Sequence, residues 1–399
     1  MARLLAAWEL GLGNGHINYL ASAARGLAAL GHESWLATRD VITVRVLPDR
    51  PFARILQAPL WTRSRVASMT WSYGQVIADG GFADDDGLAE LVRAWLTLFD
   101  LVQPDALYGE HAPAALLAAH VARLPAAMIG TPFTCPLVTR PMPELVPWLP
   151  ESAARRASAD AVPDRVIRSV CRSFGAPVLG GVADLLATAT PFLTSWPELD
   201  LCGGRRASAF YGPLEGIGAS ALPDWPAARG PRIFVYVPFD RPFAAPIAEA
   251  LAQRGWPVVW VSTALPTFAL PASIHHDVEP VDTAAALTDA TLVIHRGGHG
   301  VCLDAIRAAC PQVLMPDRVE ARTHALQVAA QGLGRLPPEW SSASVGATID
   351  AMVLRDAPEV AACAAAAARH VGYDPAAMAL QLGRDMAAAL RIAPAVRID

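Results

Sequence analysis

The 399-residue chain contains no lysine: all 32 of its strongly basic side chains are arginine. That absence excludes a Walker A phosphate loop, lysine Schiff-base chemistry and lysine-dependent dehydrogenase sites. Cysteine is sparse as well. The six, Cys135, Cys171, Cys202, Cys302, Cys310 and Cys363, form no CxxC pair, which argues against a zinc knuckle or a disulfide framework. Charged residues make up only 17% of the chain against 53% hydrophobic ones, a balance that excludes disorder. The net charge is -5 and no stretch is strongly basic, so no nucleic-acid partner is expected. There is no run of about 20 apolar residues to span a membrane, although peripheral membrane contact stays compatible with the sequence. The first apolar run is broken by Glu9 and glycines, unlike a signal peptide, and a cytoplasmic location is expected.

What is present is organised around Ala290 to Pro316, ATLVIHRGGHGVCLDAIRAACPQVLMP, which reads as a strand, a glycine-rich turn, a helix and a second strand. Thr291 to Ile294 are uncharged β-formers suited to a buried parallel strand; Gly297, Gly298 and Gly300 then break the pattern before the helix begins. Backbone N–H groups at a helix start have no intrahelical partner and the helix dipole is positive there, so a phosphate can sit against glycines that let it come close. Arg296 and His299 flank those glycines and can add charge or donors.

The stretch HRGGHGVCLDAIRAACPQVLMPDRVEARTHA resembles the nucleotide-sugar site of GT-B glycosyltransferases of the UDP-glycosyltransferase type, bacterial family 1-like, and WELGLGNGHINYLASAARGLAALGHE resembles their opening. The resemblance implies an α/β GT-B fold: two Rossmann-like domains facing each other across a cleft. The division expected is 1–212 for an acceptor-binding domain, 213–230 for a linker rich in Gly, Pro, Ala and Ser, and 231–399 for a nucleotide-sugar domain, with the last helix crossing back to the first domain.

Arg3 to Glu9 reads as the first strand, followed by the turn Gly11–Gly15 and a helix to about Leu30. A GxG after a first strand is shared with dehydrogenases and flavoproteins, but His16 puts a bulky titratable group where those folds need backbone against pyrophosphate. Strands are also expected at Glu33–Thr38, Asp105–Tyr108, Ala126–Gly130, Arg232–Val237 and Val258–Ser262. Residues 45–87 read as an irregular aromatic excursion that could line a substrate pocket, with Trp61, Trp71 and Tyr73 beside Arg63 and Arg65. Residues 137–200 read as proline-interrupted and helical. Asp84-Asp85-Asp86 invites a metal, but it directly precedes a helix whose dipole favours acids, so a cap is expected. No metal site and no cofactor is expected.

Ligands of open parallel sheets bind beyond the carboxyl ends of strands, where Gly13, His16, Glu110, Thr131 and Phe133 fall. His16 is the candidate base because imidazole titrates near neutrality, and Glu110 the group that holds one of its nitrogens. His111 is ranked below them. On the donor side the resemblance places His295, Arg296, Gly297, Gly298, His299 and Gly300 around the diphosphate, Asp304 on the ribose and Glu320 on the sugar. Arg296 stands where those enzymes carry a histidine, Val301 where a threonine is common and Ala321 where they carry glutamine. The turn Val237-Pro238-Phe239-Asp240 replaces a small hydroxyl-and-glycine loop. The implied partners are a UDP- or dTDP-sugar and a small-molecule or lipid acceptor with a hydroxyl; a protein that binds a nucleotide sugar or a partner protein without turnover is the alternative. The sequence leaves the oligomeric state open.

Overall fold

A computed structural model describes residues 1–63, 69–206, 210–214, 221–279 and 281–393; Arg65 and part of the expected linker lie outside them. By packing, the chain divides into two compact units, Met1–Ile217 with Asp374–Asp399, and Gly218–Tyr373.

The first unit is built on six parallel strands, β1 (Arg3–Trp8), β2 (Glu33–Thr38), β3 (Arg54–Gln57), β4 (Ala106–Glu110), β5 (Ala126–Gly130) and β6 (Thr190–Leu193), in the order β3-β2-β1-β4-β5-β6. The second has β7 (Ile233–Tyr236), β8 (Val258–Val261), β9 (Ile274–Asp277), β10 (Leu292–His295), β11 (Gln312–Leu314) and β12 (Gly334–Arg335), in the order β12-β11-β10-β7-β8-β9. Counted within each unit, both sheets follow the doubly wound order 3-2-1-4-5-6, and both reverse direction of build at one central pair: β1 beside β4, and β7 beside β10.

Alternation sets the layers. Leu5 and Ala7 of β1 enter the core on one face of the sheet, while Leu4, Ala6 and Trp8 enter the core on the other. The second face is covered by the helix Gly15–Ala29 and by Leu382, Met386 and Leu390 at the end of the chain. The helix Pro375–Ala389 groups with the first unit. Leu382 and Met386 are fully buried there, each worth about 1.5–3 kcal/mol of apolar burial. The closeness of the two helices depends on Gly26 and Gly383, since a Cβ on either would fall on the other helix's backbone. Tyr211 Oη also donates to Asp385 Oδ2 at 2.8 Å.

Three expectations change. Residues 45–87 are not irregular throughout: they hold β3, the helix Tyr73–Ile77 and a π turn at Ala78–Phe82. Residues 137–200 are not only helical: β6 follows the helices Ser152–Ser173 and Val182–Ala187. Two further strands, β9 and β12, were not expected. Asp84 is a cap, its side chain accepting from Gly87 N at 2.9 Å to start the helix Asp85–Val102. Among the described residues no helix is long and apolar enough to cross a membrane.

Candidate active site

In the first unit the site is assembled where β1 and β4 end. Their register pairs Trp8 with Glu110. Beyond Trp8 the chain turns through Gly11 and Gly13, both at positive φ, and delivers His16 into the first turn of its helix. A Cβ at Gly11 would occupy the His16 ring, so glycine there is a condition of the ring's position. His16 Nδ1 lies 2.5 Å from Glu110 Oε2, and its ring stacks on Trp8 at 5.1 Å between centroids. Glu110 is wholly buried, and its other oxygen, Oε1, has no hydrogen-bond partner among the described residues.

Two contacts hold the strand ends together. Leu10 N donates to His111 O at 3.0 Å. The buried Glu9 carboxyl accepts from Ala114 N (3.0 Å) and Ala115 N (2.6 Å), capping the helix Pro113–Ala122, which has no side-chain cap of its own. Burial pushes the Glu9 carboxyl up to about 8 against those two bonds. In the sequence Glu9 is no more than a break in an apolar run; its partners are more than a hundred residues away, beyond any local signal.

His111 follows Glu110 with a left-handed backbone, φ +48, and a buried ring 6.3 Å from that of His16. Burial, followed by the charges of His16 and Arg39, lowers its imidazole to about 3. Around it stand Tyr73 at 5.8 Å and, edge-on, Phe133 at 6.5 Å. Thr131 shapes the loop that carries Phe133: its Oγ1 accepts from Phe133 N (3.2 Å) and Thr134 N (3.3 Å). Tyr73, Phe133 and Thr131 are thus gathered near the His16–Glu110 pair, and Gly13 lies exposed in the turn before it. The two tryptophans have other neighbours. Trp61 lies where a Cβ on Gly81 or Gly87 would be, and Trp71 lies under the Arg155 guanidinium.

In the second unit the corresponding end of β10 leads into the glycine turn. Gly297 has φ +83, and a Cβ there would come within 2.5 Å of Ala321 O, so Ala321 meets the turn through its backbone. Gly298 and Gly300 differ: a Cβ on either would meet nothing within 4 Å, which leaves open space at the start of the helix His299–Arg307. From sequence His295 is expected at the donor. The structure buries it completely and uses both nitrogens inside the unit, Nε2 with Gln312 Oε1 at 3.0 Å and Nδ1 accepting from Gly297 N at 3.2 Å. On the other side of that residue, His324 Nδ1 bonds Gly297 O at 3.2 Å. Two imidazoles therefore grip one residue of the turn. Burial lowers His295 to about 4 and holds His299 well below the usual imidazole range. His299 and His324 face each other at 5.4 Å.

Arg296 is not an isolated cation. Its Nε and Nη2 donate to Asp317 Oδ1 at 3.0 and 2.6 Å. Asp304 is partly exposed on the same helix as His299, its carboxyl raised to about 6, mainly by burial. Glu320 sits in the first turn of the helix Val319–Ala330.

No protein-family model matches the chain, and no curated protein does. Solved structures do. The calicheamicin glycosyltransferase CalG4 superposes with a TM-score of 0.72 at 20% identity, covering 98% of this chain and 99% of its own. The glycosyltransferase VinC, solved in complex with dTDP, gives 0.67 at 17% identity with 98% and 99% covered. SnogD from Streptomyces nogalater, also a glycosyltransferase, gives 0.63 at 20% with 96% and 99% covered. Likeness at these identities speaks for architecture: the chain has the two-domain α/β GT-B fold on which these natural-product glycosyltransferases are built.

Proposed function

We propose that the protein is an inverting, metal-independent glycosyltransferase. It would move a hexose or deoxyhexose from a UDP- or dTDP-sugar to a hydroxyl of a small, partly apolar acceptor, a natural product or a lipid, in the cytoplasm. The observation that carries this reading is the 2.5 Å contact of His16 Nδ1 with the buried Glu110. A buried carboxylate that accepts from Nδ1–H fixes the tautomer, so Nε2 is the nitrogen that takes the proton of the acceptor hydroxyl. The acceptor oxygen forms its bond to the anomeric carbon as that carbon's bond to the diphosphate breaks. The electron pair leaves with the diphosphate, and the configuration inverts.

The departing charge falls to Arg296 and to the N–H groups at the start of the helix His299–Arg307, which act as preorganised donors. Asp304 would hold the ribose hydroxyls and Glu320 the sugar. Support comes from the fold and from what the similar proteins have been solved with: thymidine diphosphate and the spinosyn aglycone in the rhamnosyltransferase SpnG, dTDP in VinC.

The test is a thermal-shift panel of UDP, dTDP, GDP and their common sugars on the wild type and on Arg296→Ala. One nucleotide should raise the melting temperature, and the shift should vanish in the variant. No shift at millimolar nucleotide would sink the transferase reading. Nucleotide binding with no loss of sugar from any donor would favour instead a protein that binds nucleotide sugars without turnover.

A further inference from the structure

The turn after β7, Val237 to Arg241, has few backbone donors left for a phosphate, and Arg241 N is bonded to Pro238 O at 3.2 Å. Pro238 has no N–H, and Phe239 N is already bonded to Ser262 Oγ at 3.2 Å. Val237 O is taken by Trp260 Nε1 at 2.7 Å, and Phe239 stacks on the same tryptophan at 4.6 Å, so the turn is held shut. It ends in an arginine. Arg241 Nη1 reaches Asp317 Oδ2 at 3.5 Å, while Arg296 donates to Oδ1 of that carboxylate. One acid thus holds two guanidiniums, one from beyond β7 and one from beyond β10, the central strand pair of this sheet. Asp317 is the most buried of the three, with its side chain 11% exposed, against 22% for Arg296 and 29% for Arg241. The cations lie outward of the acid. Among the described residues the other partner of Arg241 is its neighbour Asp240, which accepts from Nε and Nη2 at 3.0 Å each; its side chain is 57% exposed, a solvated pairing that a multiply charged anion can displace.

We infer that Arg241 and Arg296, yoked by Asp317, form a two-guanidinium clamp for the diphosphate of a nucleotide donor, Arg241 supplying donors where the backbone of the turn after β7 has few left. The inference rests on the transferase reading and adds to it. Planar guanidiniums bind phosphate oxygens in pairs, and two of them suit a diphosphate better than a monophosphate.

The experiment is calorimetric titration of the full chain with dTDP, UDP and the matching monophosphates, on the wild type, Arg241→Gln, Arg241→Lys and Asp317→Asn, with melting temperatures recorded for each. Arg241→Gln should weaken the preferred diphosphate about tenfold or more and the monophosphate by much less, with Arg241→Lys between wild type and Gln. Asp317→Asn is the sharper arm. If Asp317 only opposed an anion, its removal would tighten binding; as a yoke, its removal loosens binding although a negative charge is lost. A diphosphate affinity in Arg241→Gln within about twofold of the wild type would overturn the clamp, as would tighter binding in Asp317→Asn, while wild-type binding kept the donor assignment intact. A wild type that binds no diphosphate would overturn both. Should Arg241→Gln melt early, Arg241→Lys and the ratio of diphosphate to monophosphate affinity decide between the clamp and its absence.

Discussion

The ends of the two central strand pairs occupy equivalent places in two sheets of identical order, yet they carry opposite chemistry. Where β1 and β4 end, a wholly buried carboxylate meets an imidazole at 2.5 Å; where β7 and β10 end, two arginines share a carboxylate beside glycines that face open space. The fold supplies a place at which loops converge, and the side chains decide its character: an imidazole with a carboxylate at one end, paired guanidiniums at the other. The largest effect should come from breaking the proton side alone. His16→Ala is expected to lower turnover by about 10²–10⁴-fold and Glu110→Gln by a smaller factor, while diphosphate affinity stays within about twofold in both. Equal losses of turnover and of nucleotide affinity would show that the two ends do not divide the labour.

Acid separates the two ends by their buried titrating groups. Consider an imidazole held at about 4, as His295 is, against an ordinary value near 6.5. As pH falls through 6.5 the unfolded chain takes a proton that the folded one refuses until about 4, so stability is lost on acidification across that window. His299 and His324 are shifted in the same direction. Asp304, raised to about 6, binds its proton early when folded and partly offsets them. In the first unit the opposing pair is closer to balanced: His111, at about 3, loses stability below 6.5, whereas Glu9, at about 8, gains it as pH falls from 8 toward its unfolded value of 4.5. Between pH 7.5 and 5 the turn of the second unit should weaken by roughly 2 kcal/mol or more, whereas the first site should not weaken, because over that range the gain from Glu9 exceeds the loss from His111. Amide exchange at the two pH values, corrected for intrinsic rates, reads the segments separately; equal loss in both would contradict the assignment of these groups.

Glycines sharpen the contrast further. At Gly383 a Cβ would strike the backbone of Gly26, so Gly383→Ala should cost about 1–3 kcal/mol in denaturant unfolding and leave nucleotide affinity alone. At Gly298, with φ -62 and ψ 134, an alanine meets no protein atom. Gly298→Ala should change stability by about 0.5 kcal/mol or less and weaken the diphosphate about tenfold, because the added methyl would project into the open space in which the diphosphate is proposed to sit. A stable Gly298→Ala with unaltered binding would move the phosphate away from this turn.

How much of this was legible follows from burial. The eight strands read from sequence are the inner four of each sheet, where uninterrupted apolar runs such as Leu292–Ile294 and Val258–Val261 are buried on both faces. The four that escaped, β3, β6, β9 and β12, are the four sheet edges. Each is two to four residues long and partly exposed, so none carries a run that periodicity can detect. The site divides the same way. His16, Glu110 and the glycine turn were legible because each lies at the end of a strand that could be read. Apart from Glu110, the groups that hold them were not: Asp317 is 21 residues from Arg296, Glu9 is 105 from Ala114, and Gln312 is 17 from His295. Such partners are chosen by strand register, which no local pattern encodes.

The smallest expected difference lies in the helix caps. Asp84 accepts from Gly87 N at 2.9 Å in the first unit and Asp282 from Ala285 N at 3.0 Å in the second. Replacing either by alanine should cost about 1 kcal/mol, the usual loss for an N-cap. Their consequences then diverge. Asp282 is one of the charges acting on Asp304, a lesser influence than burial but in the same raising direction, whereas Asp84 is not among them. Asp282→Ala should therefore lower the Asp304 carboxyl from about 6 and move the acid limb of nucleotide affinity downward, while Asp84→Ala leaves that limb in place. Carboxyl chemical shifts of Asp304 followed against pH in both variants would distinguish the two caps. An Asp304 titration that ignored Asp282→Ala would mean that burial and the opposing charge of Arg307 set it, and that Asp304, unlike the His16–Glu110 pair, is electrically insulated from its neighbouring helix.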